Sequence, residues 1–315
     1  MSRVIDSLME AVEQDPYPAG HTSSYWRQEG EKMIVDRRQG KLRLEGLMAD
    51  TDRITLPGRW MNSLERLSYL PATLPLRFYR RSWRLTRCLA RDLSQPLTHH
   101  NWRFAVVLAL LTEHWKRYDL RPKTFALIGD GEGFLGALIS RAIPEARIYS
   151  IDLPKALVLQ AVIHEKANPG GRLSLTSEEN SVPGPGVSLA LPGQIERIGS
   201  PIDCAINLCS MQEMERSSVE GYFQFLRKRS GPGSRFYCVN RMEKELPGGD
   251  CRRFHEYPWR KEDEIFIDGP CPYIRHFLSR TAASRGPRLL ERRIPFVNFF
   301  DGTTLHRLAH LAPFR

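Results

Sequence analysis

The chain reads as an α/β protein with a doubly wound sheet, preceded by a mainly helical region. Three observations predict this. From Lys123 onward, short apolar runs of strand length alternate with runs of helical period. The first of those runs ends in "GDGEGFLG", Gly129 to Gly136, a glycine-rich turn placed between a strand and a helix. Before Lys123 the texture differs, with helical stretches separated by proline-rich breaks.

Taken in order, residues 1–118 form the helical N-terminal region, a candidate lid, acceptor-binding or dimer element. "RFAVVLALLTEHWKRY" (Arg103–Tyr118) is long, apolar and free of proline, as a well-buried helix requires. "TLPGRW" and "YLPATLPLRF" are the breaks before it. Residues 119–315 form the sheet domain. "TFALIG" (Thr124–Gly129) is its first strand, and a helix follows over Phe134–Ala142. "ARIYSID" (Ala146–Asp152) is the second strand, and "PKALVLQAVIHEKAN" (Pro154–Asn168) a helix with proline at its first position. "GRLSLTS" is the third strand, and "SEENSVPGPGVS" (Ser177–Ser188) a polar surface loop. "PIDCAINLCS" (Pro201–Ser210) is the fourth strand, "VEGYFQFLRKRS" (Val219–Ser230) a helix and "SRFYCVNR" (Ser234–Arg241) the fifth strand. "RLLERRIPF" and "TTLHRLAHL" are candidate closing strands. Such alternation implies right-handed crossovers and a parallel sheet covered on both faces.

Composition narrows the class. The longest apolar run, "FAVVLALL" at Phe104–Leu111, is eight residues, well short of the roughly 18–20 that span a bilayer. The first residues carry acids and no secretory apolar core, so a cytoplasmic protein is expected. The six cysteines form no CxxC pair and no cluster has metal-ligand spacing, so neither a disulfide framework nor a structural metal site is expected. A divalent ion chelated by carboxylates and two hydroxyls of a ligand stays open. The net charge of +10 is densest in "RFYRRSWRLTRCLAR" (Arg77–Arg91), six arginines with no acid. On a helix, Phe78, Trp83, Leu85 and Leu89 would make a rough apolar side. No nucleic-acid recognition module accompanies the charge. That leaves a solvated basic helix, or a patch meeting an anionic substrate or the inner membrane surface.

In a doubly wound sheet the ligand lies beyond the carboxyl ends of the strands, where the strand order switches. The glycine turn sits there, and Gly131, Gly133 and Gly136 satisfy GxGxxG. Asp152 lies at the tip of the second strand, 21 residues past Gly131, where a carboxylate can accept both hydroxyls of a ribose. An adenosine-type ligand is therefore expected across Gly129, Asp130, Gly131, Gly133, Asp152 and Leu153. NAD(P) and S-adenosylmethionine both fit that pair, and a turn kept only for tight packing is the bland alternative. The fourth strand ends abruptly in polar groups, Asn207, Ser210, Gln212 and Glu213, and the fifth ends in Asn240 and Arg241. Both would face the crevice, although Ser210 and Glu213 also read as a helix cap with its capping-box mate.

"GDGEGFLG", "SIDLPKAL", "INLCSMQEM", "YFQFLRK", "FYCVNR" and "HEYPW" together resemble the sugar O-methyltransferases of bacterial surface-polysaccharide clusters, as does the early "SSYW" (Ser23–Trp26). The resemblance covers roughly 125–259. It implies a Rossmann-like class I methyltransferase sheet. S-adenosylmethionine would lie at Gly129, Gly131, Gly133 and Asp152, with Asn207 on the same side. Acceptor roles would fall on Ser210, Gln212, Glu213, Asn240 and Arg241. The chain departs from the class at Leu127, where an acid often anchors the methionine amino group; Asp130 or Glu132 could substitute.

Methyl transfer to a sugar hydroxyl needs a base, which typically contributes ~10²–10⁴-fold. Glu213 and His255 are the candidates; His276, His164 and His306 rank behind them. Tyr257 and Trp259, near His255, suit stacking on a sugar face. The acceptor would be a sugar, a nucleotide-sugar or a lipid-linked glycan. An NAD(P)-dependent oxidoreductase, a nucleic-acid methyltransferase and an inactive methyltransferase-fold binding protein are the rival readings.

Overall fold

The computed structural model describes residues 2–38, 41–46, 70–97, 99–176, 184–274, 288–289, 292–293 and 304–314. "TLPGRW", His276 and most of the loop after residue 176 lie outside them. The chain opens with α1 (Arg3–Gln14), whose first turn is capped by Ser2, and α2 (Ser24–Gly30), capped by Ser23. A hairpin of β1 (Ile34–Arg38) and β2 (Lys41–Glu45) follows, an element absent from the helical reading of this region. Next come α3 (Leu70–Thr73), α4 (Tyr79–Asp92) and α5 (His99–Arg117). The buried side of α4 is Ser82, Thr86, Leu89 and Ala90 rather than the expected Phe78, Trp83, Leu85 and Leu89. Small side chains let this helix sit close to its neighbours, while Trp83 and Leu85 are half-buried at the margin.

The sheet domain then alternates as expected. β3 (Thr124–Ile128), α6 (Phe134–Ala142), β4 (Arg147–Ile151) and α7 (Pro154–Ala167) come first. β5 (Leu173–Leu175), β6 (Gly186–Ala190) and β7 (Ile202–Leu208) continue it. α8 (Arg216–Arg229), β8 (Ser230–Arg241) and the small hairpin β9 (Glu243–Glu245) and β10 (Cys251–Arg253) follow. β11 (Glu264–Pro270), a two-residue hairpin of β12 (Arg288–Leu289) and β13 (Arg292–Arg293), and β14 (Thr304–His310) complete it.

Eight strands make the main sheet in the order β11-β14-β8-β7-β3-β4-β6-β5. From β8 to β5 every neighbour is parallel, whereas β14 runs antiparallel to both β8 and β11. The sheet is therefore mixed. "GRLSLTS" forms only the edge strand β5, and its inner neighbour β6 arises from the end of the stretch read as a polar loop. "TTLHRLAHL" is a closing strand, while the described part of "RLLERRIPF" pairs only with itself.

The two faces of the sheet carry separate cores. On β3, Phe125 and Leu127 join α1, α4, α5, α6 and α7 in one buried cluster, and Ala126 and Ile128 join α8 in the other. The N-terminal helices thus share a core with the sheet. On the second face, the Arg227 guanidinium is clamped by both oxygens of Asp263 at 2.6 and 2.8 Å, with carbonyls of Pro258 and Ala312 as further acceptors. A buried pair this fully satisfied holds the segment after α8 against that helix.

Candidate functional site

The chain runs outward from β3 through β4 to the β5 edge, then returns to β7 on the other side of β3. A crevice opens at that switch. A cavity of about 460 Å³ lies there, within the usual range of ligand sites, ~300–1,000 Å³.

One end of the cavity is the glycine turn. Gly129, Gly131 and Gly133 all have positive φ, at 72°, 60° and 82°, a region L side chains enter only with strain. A Cβ on Gly129 would stand 2.2 Å from Ser210 Oγ, and one on Gly133 would stand 3.0 Å from Gln160 Cα. Glycine is needed there for packing as well as conformation. The Asp152 carboxylate lines the cavity and fastens the turn: Oδ2 accepts from Gly131 N (3.1 Å) and Gln160 Nε2 (2.9 Å), and Oδ1 accepts from Leu153 N (2.9 Å). A carboxylate has about four acceptor sites, so Oδ1 keeps one for a ligand hydroxyl.

Asp130 behaves differently. Its Oδ2 accepts the Gly136 amide at 2.8 Å and so fills the anion position at the N-terminus of α6. Burial, reinforced by Asp152, pushes its carboxyl up to about 8 despite the Gly136 amide. Burial also raises Glu132 to about 7 and Asp152 to about 6. All three line the cavity, and the Glu132 carboxylate makes no hydrogen bond among the described residues. An electropositive ligand would favour the charged form of each.

The other end is built from side chains. Past β7 the backbone turns through Cys209, a non-glycine residue at φ 61°, into a short 3-10 turn, Met211–Glu213. Ser210 Oγ makes no capping bond. It donates to Ile128 O at 3.0 Å and accepts from Asn207 Nδ2 at 2.5 Å, tying β7 to β3 at the lip of the cavity. Glu213 presents its carboxylate to the cavity, where it pairs with Lys244 Nζ. Burial raises the Glu213 carboxyl from its ordinary value, and Lys244 opposes that rise. Lys244 Nζ also stands 3.9 Å from the centre of the Tyr25 ring. Burial, with Glu213 nearby, raises the Tyr25 hydroxyl above its usual range.

Tyr25, Trp26 and His21 bring the N-terminal segment to the cavity wall. Ser23 Oγ donates to the Glu213 carbonyl, and Ser218 Oγ donates to Gly20 O at 3.1 Å. Lys155 of α7 donates to Tyr17 Oη, Gly30 O and Met33 O at 2.9, 2.9 and 3.0 Å. From α5, Arg103 and Phe104 complete this side.

Of the residues singled out from sequence, Gly129, Asp130, Gly131, Asp152, Leu153, Ser210 and Glu213 line the cavity. Gly133 stands behind the turn, packed on Gln160. Asn207, Gln212 and Asn240 satisfy one another instead. Asn240 Nδ2 donates to Asn207 Oδ1 at 2.8 Å, Asn240 Oδ1 accepts from Gln212 N at 3.0 Å, and Gln212 Oε1 accepts from Arg241 N at 2.7 Å. Because β7 and β8 are parallel neighbours, their polar ends lie side by side and lock together; these residues and Arg241 stand outside the cavity lining. His255 is exposed on another surface. Tyr257 and Trp259 belong to the second core, where Trp259 stacks on Phe236 at 5.8 Å and its indole donates to Phe254 O at 3.2 Å. His164 and His306 are buried away from the cavity, and burial lowers each to about 4. Sequence reasoning passed over Lys244 and Arg103. "SSYW" was the one signal for Tyr25 and Trp26, and it carried no role. Among the described residues no group of His, Cys, Asp and Glu could hold a metal ion, and no helix is long and apolar enough to cross a membrane.

No family model and no curated protein matches the sequence. Among solved structures, TehB from Haemophilus influenzae is similar at 15% identity and TM-score 0.42, over 64% of this chain and 60% of that one. The pyocyanin biosynthetic protein PhzM is similar at 14% identity and TM-score 0.40, over 75% of this chain and 71% of that one. An S-adenosylmethionine-dependent methyltransferase from Clostridium acetobutylicum is similar at 10% identity and TM-score 0.37, over 64% of this chain and 89% of that one. The main sheet itself is a parallel series with one antiparallel strand, β14, inserted beside its end.

Proposed function

We propose that this chain is an S-adenosylmethionine-dependent O-methyltransferase whose acceptor is a sugar hydroxyl in glycoconjugate or surface-polysaccharide synthesis. The observation that carries the choice of donor is Asp130. A dinucleotide needs the N-terminus of α6 for its pyrophosphate. There the chain supplies its own carboxylate, on the Gly136 amide, with Glu132 and Asp152 close by on the same cavity wall. With the Gly136 amide already taken, this wall offers a pyrophosphate three carboxyls instead of free donors, whereas a cation would draw those carboxyls into their charged form. S-adenosylmethionine carries two positive centres, its sulfonium and its amino group, and when bound supplies an electrophilic methyl group. Asp152 would hold the ribose through the remaining acceptor site on Oδ1. Glu132 would take the amino group, in place of the acid that Leu127 lacks.

The acceptor end supports hydroxyl chemistry. Glu213, raised by burial and steadied by Lys244, is a carboxylate of increased basicity on the cavity wall. It would accept the proton of the hydroxyl as oxygen bonds the methyl carbon, the carbon–sulfur bond breaks and S-adenosylhomocysteine leaves. Tyr25 and Trp26 offer the aromatic surface for a sugar ring that Tyr257 and Trp259 were expected to supply. The resemblance of "SMQEM" and the strand end "NR" to sugar O-methyltransferases supports the same acceptor class.

Calorimetric titration with S-adenosylhomocysteine and with NAD tests the donor. Binding of the first, lost in Asp152→Ala, is expected; binding of NAD alone, or undiminished affinity in that variant, overturns the reading. Methyl transfer to a panel of nucleotide-sugars and lipid-linked glycans tests the acceptor, and transfer confined to small-molecule amines would refute it.

A further inference from the structure

We propose that the outer face of α4 is a docking surface for an anionic lipid bilayer. The inference does not depend on the reaction assigned above. Arg77, Arg80, Arg81, Arg84, Arg87 and Arg91 are all exposed. The last five, three and four residues apart, lie on one side of the helix, along about 16 Å at 1.5 Å per residue, with Arg77 in the turn before it. The opposite side, Ser82, Thr86, Leu89 and Ala90, is buried and fixes which way the helix faces. Asp92, the helix's one acid, lies at its far end, paired with Arg141 at 2.6 Å and Arg91 at 3.3 Å. No carboxylate among the described residues pairs with Arg80, Arg81, Arg84 or Arg87. Like charges at these spacings repel, and among the described residues the middle of the row has no counter-ion.

Two features favour a membrane over a nucleic acid. The helix aromatics are turned away from the basic row: Tyr79 and Trp83 are half-buried, and Tyr79 Oη accepts from the Trp102 indole at 2.8 Å. Along the helix and its N-cap, Phe78, Tyr79 and Trp83 are none of them exposed, so the row carries no ring of its own for base stacking. Leu74, in the turn leading to the row, is 78% exposed, an apolar side chain suited to the headgroup boundary. The row also lies one helix from the cavity, since α4 packs along α5, whose Arg103 and Phe104 line it.

The test is sedimentation of the full chain with vesicles of phosphatidylglycerol and phosphatidylcholine against phosphatidylcholine alone. Partitioning onto the anionic vesicles only, weakened by added salt, is expected. Each arginine near such a surface contributes about fivefold. Combining Arg80→Gln, Arg84→Gln and Arg87→Gln should therefore lower partitioning roughly a hundredfold. All three residues are exposed, so circular dichroism should be unchanged; should it differ, Arg84→Gln alone, expected to lose about fivefold, decides. Equal partitioning to both vesicles, none to either, or variants that bind like the parent would overturn the proposal. So would a fluorescent single-stranded oligonucleotide that strips the protein from anionic vesicles at equal charge concentration.

Discussion

At one end of the cavity the wall is backbone, a turn with three left-handed glycines, fastened by Asp152 at the end of β4 and tied by its own Asp130 to the Gly136 amide of α6. At the other end it is side chain: Glu213 from the turn after β7, paired with Lys244 of β9, and Tyr25 and Trp26 from a segment nearly two hundred residues away, whose Ser23 bonds to the Glu213 carbonyl 190 positions on. Backbone walls tolerate few substitutions and suit a ligand that does not vary. Side-chain walls can be exchanged one residue at a time, which suits the part of a site that sets specificity.

Perturbing each end separately sharpens that contrast. Glu213→Gln should lower the methyl-transfer rate ~10²–10⁴-fold while leaving calorimetric affinity for S-adenosylhomocysteine within about twofold; a parallel fall in both would mean that the two ends are not independent. Gly129→Val forces a side chain into left-handed backbone and against Ser210. The combined strain and overpacking, about 2–5 kcal/mol, should appear as lost donor affinity and a lower denaturation midpoint. Tyr25→Ala should raise the acceptor KM about two- to tenfold, as the loss of an aromatic contact worth ~0.5–1.5 kcal/mol implies, without changing donor affinity. Asp130 tests the backbone end through pH. Its carboxyl titrates at about 8 when folded against 3.8 ordinarily, so across that window the folded state holds a proton that the unfolded chain has lost. Its contribution to stability is full below the lower value and lost as pH rises through the upper one. Asp130→Asn should flatten that decline, measured as denaturation midpoints between pH 5 and pH 8.5 (roughly the span of the two values). His255→Ala, exposed and outside the cavity, should change neither rate nor affinity measurably.

The backbone end was the legible one, because its signals are local. Strand, glycine turn, helix and acid follow within about thirty residues, and the observed β3, α6, β4 and α7 sit within a residue or two of their expected bounds. β6 was missed because its five residues begin on a glycine inside a proline- and glycine-rich stretch, where composition outweighs a short apolar alternation. The side-chain end could not be read by its spacing. Polar groups at the ends of β7 and β8 looked ligand-facing because nothing in the sequence shows that Asn207, Gln212 and Asn240 meet one another. "FHEYPW" looked like a stacking platform for the same reason, since only the fold reveals that Trp259 is covered by Phe223 and Phe236.

The antiparallel β14 has a consequence for how the molecule is made. It is synthesised after every other strand of the main sheet, yet its place is inside, between β8 and β11. Until it emerges from the ribosome, β8 presents an open, apolar edge and β11 has no partner in the sheet. The nascent chain must therefore guard that gap while the roughly sixty residues between β8 and β14 are made, when an unfilled edge invites pairing with other chains.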